Sequence, residues 1–156
     1  MKKNGFTLIE VIITILIIVV VTALALPYYF NAAESARMTE VVTLWGRNKN
    51  WVIGKEMTAQ DADRFTNRLN KQVQLKYFTA EIICRTKEDT GEICWEAEFT
   101  QKNENAHARY KLVTTHNFVN LACVPVNDAG ESFCRTRALD EKNPETIGNE
   151  KGYIIH

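Results

Sequence analysis

The chain has 156 residues, which is enough for one domain and too few for two full-sized ones. Basic and acidic residues number 19 each, so the formal net charge is zero. This balance speaks against nucleic-acid binding, which needs a clustered excess of cations. Hydrophobic residues make up 46% and charged residues 24%, which excludes wholesale disorder.

Residues 6–26 form an apolar segment that contains one charged residue. As a helix these residues would reach about 32 Å, close to the hydrocarbon thickness of a bilayer. The basic residues Lys2 and Lys3 precede it, and such residues favour a cytoplasmic N-terminus. We therefore predict a membrane-spanning helix. A cleaved secretory signal is the rival, because Ala23-Leu24-Ala25 fits a small-residue cleavage site, although the apolar run exceeds the usual length of about 7–15 residues.

Glu10 is the one charged residue inside this segment. An ionised carboxylate within a membrane costs on the order of 3 kcal/mol or more, so such residues are rare unless they are neutralised. Cleavage after Gly5 would create an amine on Phe6, which could pair with Glu10 of the same helix or of a neighbouring one. Alternatively, Glu10 reaches the cytoplasmic interface by snorkelling. The residues alone leave both interpretations open.

The segment Gly5-Phe6-Thr7-Leu8-Ile9-Glu10-Val11, after two lysines and before a long apolar run, closely resembles the class III signal of type IV prepilins. The resemblance implies that a prepilin peptidase of the inner membrane cleaves between Gly5 and Phe6 and methylates the Phe6 amine. It also implies that Glu10 is the assembly glutamate, which sets each incoming subunit in register against the amine of a neighbour. Pro27 lies where many pilins carry a helix-kinking proline.

The helical pattern continues beyond Pro27 with apolar residues at spacings of three and four, and it ends near residue 54. We predict four segments, namely a leader (1–5), a membrane-spanning and filament-core half-helix (6–27), an amphipathic half-helix packed on the head (28–54) and a globular head (55–156). Pro27 should kink or locally melt the long helix. A second, short helix is expected at 60–69, where Thr58 and Asp61 form an approximate capping box.

From residue 71 onward the pattern changes to short strands joined by turns. The predicted strands are 73–84, 92–99, 108–114, 118–124 and 131–136, and the tail (139–156) is expected to be a surface loop ending in a short apolar segment. Successive hairpins give an antiparallel sheet. The predicted fold class is therefore α+β, with a long N-terminal helix packed against a C-terminal antiparallel sheet, and the resemblance implies the type IV pilin fold.

The four cysteines, Cys84, Cys94, Cys123 and Cys134, admit three pairings. The predicted hairpins place Cys84 opposite Cys94 and Cys123 opposite Cys134, so we predict two cross-strand disulfides. The cysteines do not have the spacing of a zinc site, and no metal site is predicted. Disulfides agree with export, because extracytoplasmic compartments are oxidising.

The sequence suggests no catalytic residues, because its three histidines are scattered and it has no glycine-rich phosphate loop. We predict a non-enzymatic subunit of a type IV pilus, without cofactor or nucleic-acid partner, that forms a helical homo-oligomer. The resemblance implies an inner-membrane precursor, an extracellular filament, and a prepilin peptidase, an assembly ATPase and a platform protein as partners. A pseudopilin of a type II secretion system is the alternative. A membrane-anchored periplasmic enzyme or binding domain is disfavoured, because an anchor needs no intramembrane carboxylate.

Overall fold

The computed structural model describes residues 6–53, 57–86, 93–115, 118–140, 143–147 and 150–156, without the side chains at positions 51, 72, 86, 93 and 94. The chain divides after Ser35 into two compact units. The predicted leader lies outside the described residues. The fold class is α+β, as predicted, with a long N-terminal helix and a six-stranded antiparallel sheet.

The first helix, α1, spans Leu8–Asn48 and contains 41 residues, which gives a length of about 62 Å at 1.5 Å per residue. In the second unit, α1 buries one face through Met38, Val41, Leu44 and Trp45, whose spacings of three and four place them on the same side. A 3₁₀ turn at Lys49–Trp51 follows, so the α-helix ends earlier than predicted.

A second helix, α2, spans Ala59–Asn67 and continues as a π-helical turn at Arg68–Val73. The predicted capping box at its start is confirmed, because the Thr58 side chain accepts from the Asp61 amide and the Asp61 carboxylate accepts from the Thr58 amide. This region also covers the edge of the sheet. The Asn70 amide oxygen accepts the Ala80 N–H at 2.9 Å, and its nitrogen donates to the Ala80 carbonyl at 2.6 Å. Asn70 thus takes the place of a neighbouring strand.

The sheet contains β1 (Phe78–Thr86), β2 (Ile93–Gln101), β3 (Tyr110–Thr115), β4 (Asn120–Pro125), β5 (Glu145–Ile147) and β6 (Glu150–Ile154). Its strand order is β1-β2-β3-β4-β6-β5, with antiparallel neighbours. β2, β3 and β4 match the predicted strands within two residues, whereas β1 begins five residues later than predicted because Val73 belongs to the π-helical turn. The prediction of a loop for the tail is wrong, because β6 pairs with β4 and is itself paired with β5.

The predicted strand at 131–136 is also wrong, because these residues belong to helix α3 (Asp128–Arg137). Asn127 is the N-cap, and its side-chain oxygen accepts the N–H groups of Gly130 at 2.8 Å and Arg109 at 2.9 Å. The Asn127 amide nitrogen donates to the His107 carbonyl. One side chain therefore starts the helix and ties it to the beginning of β3.

Cys123 and Cys134 form a disulfide, as predicted, but it joins strand β4 to helix α3 instead of two strands. The Cα atoms are 5.5 Å apart and the residues are 11 positions apart in the chain. Closing a loop of this length stabilises the fold by about 2–3 kcal/mol in the chain-entropy model.

The structure contradicts the predicted Cys84–Cys94 disulfide, because Cys84 is a free and exposed thiol. In the β1–β2 register Cys84 is paired with Trp95, and Cys94 is paired with Arg85. A cross-strand disulfide requires the two cysteines at paired positions, and the backbone register does not pair these two. The register differs from the predicted one by a single residue.

Both faces of the sheet are partly covered by apolar residues. On the inner face, Trp45 of α1 packs against Phe99 and Phe118 at ring-centre distances of 6.2 and 5.8 Å. A smaller cluster of Val113, Ala122, Val124 and Ile147 forms on the other face. Gly152 allows this cluster to close, because a Cβ atom there would lie 2.3 Å from the Ile147 side chain.

Candidate functional site

Helix α1 begins with a capping box built from Thr7 and Glu10. The Glu10 carboxylate accepts the Thr7 N–H at 2.8 Å and the Thr7 hydroxyl at 2.7 Å, while the Glu10 N–H lies 3.4 Å from the Thr7 hydroxyl oxygen. This pattern satisfies backbone donors that the start of a helix leaves unpaired. The sequence signal for this box is Thr-x-x-Glu before an apolar run, but sequence reasoning considered only charge pairing and snorkelling for Glu10.

The two oxygens of the Glu10 carboxylate have different environments. Both bonds from Thr7 end on Oε2. Within the described part of the chain, Oε1 has no hydrogen-bond partner. Because an ionised carboxylate can accept several hydrogen bonds, Glu10 can keep its capping role and still accept a donor from another molecule.

The other polar side chains of the apolar segment are satisfied within the helix. The Thr14 hydroxyl donates to the Val11 carbonyl at 2.8 Å, and the Thr22 hydroxyl donates to the Ile18 carbonyl at 2.6 Å. Such local bonds remove the cost of placing a hydroxyl in an apolar environment. Among its polar side chains, the segment therefore presents one group, the Glu10 carboxylate, with unused capacity for a hydrogen bond.

The first unit exposes large apolar side chains on every side of the helix. These are Phe6, Leu8, Ile9, Val11, Ile12, Ile13, Ile15, Leu16, Ile17, Ile18, Val19, Val20, Val21, Leu24, Leu26, Tyr28, Tyr29 and Phe30. By length and composition α1 can cross a membrane. A helix that is apolar all round is stable only when lipid or protein surrounds it. Tyr28 and Tyr29 follow the apolar run, as aromatic residues do at membrane–water interfaces.

Pro27 lies inside α1, and the α-helix continues through it. The prediction of local melting is therefore wrong. Proline lacks an N–H group, so the carbonyl of Ala23 loses its helical donor, but packing of neighbouring turns can maintain a helix across one missing bond. A kink at Pro27 stays a prediction.

The remaining predicted site residues lie as follows. Gly5 is outside the described residues, and Phe6 lies two positions before the first residue of α1 and is 82% exposed. The cysteines belong to the second unit, the head. In the described ranges no group of three His, Cys, Asp or Glu residues is placed to hold a metal ion.

The comparisons with known proteins concern this same segment. Residues 1–26 match a family model described as the prokaryotic N-terminal methylation motif. No curated protein and no solved structure shows significant similarity to the chain. The motif supports a type IV pilin-like or pseudopilin protein, and it agrees with membrane anchoring of the precursor by the apolar helix. The N-terminal segment of this chain is thus the class III signal of type IV pilins.

Proposed function

We propose that the protein is a non-enzymatic subunit of a type IV pilus. The observation that carries this proposal is the combination of the methylation motif with a helix that exposes apolar side chains on all sides and holds one carboxylate. Such a helix is soluble in lipid before assembly, and it can be buried among identical helices in a filament core afterwards.

Processing comes first in this proposal. A prepilin peptidase cleaves after Gly5, and Phe6 becomes the methylated N-terminus. Loss of five residues from 156 leaves 151, and loss of Lys2 and Lys3 lowers the formal net charge from zero to −2. Glycine suits the cleavage position, because a side chain there would obstruct close approach of the backbone to the enzyme.

Assembly then depends on a directional contact. Transfer of the helix from lipid to a protein core gains little from hydrophobicity, since both surroundings are apolar. The Phe6 amine and the Glu10 carboxylate are the opposite charges of the mature apolar segment. With Oε2 bonded to Thr7, Oε1 is the oxygen available to the Phe6 amine of a neighbouring subunit.

The proposed partners are the inner membrane before assembly, the peptidase, an assembly ATPase, a platform protein and further copies of this chain. The filament would be extracellular. The Cys123–Cys134 disulfide supports exposure of the head to an oxidising compartment.

Intact-mass measurement of subunits from sheared surface filaments tests the proposal. We expect one species of 151 residues that begins with methylated Phe6. A subunit that begins after Ala25 would show that the segment is a secretory signal instead. If the processed protein is found only in the cell envelope, with type II secretion lost on its deletion and no surface filament, the pseudopilin alternative is correct.

A further inference from the structure

A cavity of about 260 Å³ lies in the head, beside the second half of α1 and the start of the β1–β2 hairpin. Its lining includes three cationic residues, Arg37, Lys76 and Lys102, which come from three different parts of the chain. No aspartate or glutamate is among the described residues that line it. The fold thus gathers positive charge around one concave site.

The Tyr77 ring makes cation–π contacts with two of these cations. The Arg37 guanidinium carbon lies 5.6 Å from the centre of the Tyr77 ring, and the Lys76 ammonium lies 5.0 Å from it. Glu40 fixes the backbone beneath them, because its two carboxylate oxygens accept the N–H groups of Lys76 and Tyr77 at 2.6 and 3.0 Å. The Glu40 carboxylate therefore holds this loop beside the cavity.

Lys102 is positioned by two further bonds. Its backbone N–H donates to the Tyr77 carbonyl at 2.9 Å, and its ammonium donates to the Leu75 carbonyl. An ammonium has three donors, so Lys102 keeps two for a ligand. The cations are thus held in place before a ligand arrives, which lowers the entropic cost of binding.

We propose that this cavity binds a phosphate group. A planar guanidinium and two ammonium groups around a small cavity match the charge and the acceptor oxygens of phosphate. The phosphate can come from an anionic phospholipid headgroup or from inorganic phosphate in solution. The lipid source rests on the membrane anchoring of the proposed function, whereas binding of inorganic phosphate does not.

The first test titrates the full chain, in neutral detergent, with inorganic phosphate and follows the backbone amides of Lys76, Tyr77 and Lys102 by nuclear magnetic resonance. Chloride at matched ionic strength is the reference. We expect saturable shifts at these amides. Replacement of Arg37, Lys76 and Lys102 by Gln should weaken phosphate binding by at least about tenfold, because it removes the charge-assisted hydrogen bonds to the phosphate oxygens.

A matched variant replaces three exposed head cations outside the cavity, Lys71, Arg109 and Arg135, by Gln. It removes the same charge and should bind phosphate as the unmodified chain does. Equal weakening in both triple variants, or the absence of saturable shifts in the unmodified chain, would overturn the proposal. Equal unfolding midpoints of the two variants would exclude misfolding as the cause of a difference.

The second test distinguishes the sources by native mass spectrometry of the chain from mixed phosphatidylglycerol and phosphatidylcholine membranes. Selective retention of phosphatidylglycerol that is lost in the cavity variant identifies a lipid headgroup. Retention of both lipids that is unchanged in the cavity variant, together with saturable phosphate shifts, identifies phosphate in solution. Neither result depends on filament formation, so failure of the pilus proposal and failure of this one can be told apart.

Discussion

Replacement of Glu10 by Gln separates the charge-pairing role of Glu10 in assembly from its role in the capping box of α1. Glutamine also serves at the third position of a capping box, so its side-chain oxygen can still accept from Thr7 at the start of α1. The substitution removes the negative charge and replaces the second carboxylate oxygen by an NH₂ group of similar size. Membrane insertion, cleavage and folding of the head should persist, because the segment becomes less polar.

The expected effect on assembly is large. In the unmodified protein, the charge pair formed on assembly offsets the cost of about 3 kcal/mol for an intramembrane carboxylate. Without this gain for each incoming subunit, the critical subunit concentration rises by more than about hundredfold. Filaments should then be abolished or sharply reduced, and Glu10→Ala should give nearly the same result. Electron microscopy and immunoblotting of the sheared fraction, compared with the membrane fraction, measure this change.

Two variants serve as controls for the Glu10 experiment. Thr7→Val removes the capping hydroxyl but keeps the Glu10 charge and the 2.8 Å bond from the backbone N–H, at a cost of about 0.5–2 kcal/mol to the helix start. It should reduce assembly less than Glu10→Gln. Glu104→Gln changes an exposed head residue and should assemble normally. Normal filaments with Glu10→Gln would refute charge pairing and favour a snorkelling or purely capping role for Glu10.

Three further predictions concern the head. Gly130→Ala should destabilise the head by about 1–3 kcal/mol, because the new Cβ would lie 1.9 Å from a backbone carbonyl oxygen. Gly46→Ala has open space around the new Cβ and should stabilise its helix by about 0.5–1 kcal/mol. Thermal unfolding of the two variants measures both effects. Hydrogen bonds from Lys151 and then Tyr153 lower the pKa of Glu131, and the bond to Glu131 raises the pKa of Lys151. The contribution of ionised Glu131 to folding stability is therefore present above its usual pKa and is lost as the pH falls through the lowered pKa. The contribution of protonated Lys151 to folding stability is lost only as the pH rises through the raised pKa. Glu131→Gln should accordingly reduce the difference in urea midpoint between pH 7 and pH 3, and an unchanged difference would contradict this. Cys84 should react with a maleimide in the folded protein, and recovery of a Cys84-containing disulfide by non-reducing peptide mapping would show that its thiol is not free.

The features that sequence reasoning predicted correctly are encoded locally. The apolar run and the spacing of three and four after it specify α1 without help from distant residues. The capping box at Thr58 and Asp61 is equally local, and so is the one at Thr7 and Glu10 that sequence reasoning missed. That omission came from treating Glu10 only as a charge that needs either a partner or the aqueous interface.

The incorrect predictions concern features that depend on distant contacts. Residues 131–136 form a helix because Asn127 caps it against β3 and because Cys134 is tied to β4. The tail forms two strands because β6 pairs with the edge of the sheet at β4. In the β1–β2 hairpin, a shift of one residue in the pairing separates Cys84 from Cys94. Since the period of a strand is two residues, such a shift reverses which residues share a face.

The N-terminal helix is suited to both of its proposed environments because nearly all of its polar groups are satisfied locally. The hydroxyls of Thr14 and Thr22 bond to their own helix, and Glu10 Oε2 bonds to Thr7. In lipid, therefore, Glu10 Oε1 is the side-chain oxygen of residues 6–26 that would lack a strong donor. Packing of apolar side chains can bring helices together but fixes neither their stagger nor their order, since many staggers bury similar area. A contact that only one stagger can satisfy selects among them, and the Glu10 carboxylate, paired with the Phe6 amine, is the group in this segment that can provide it.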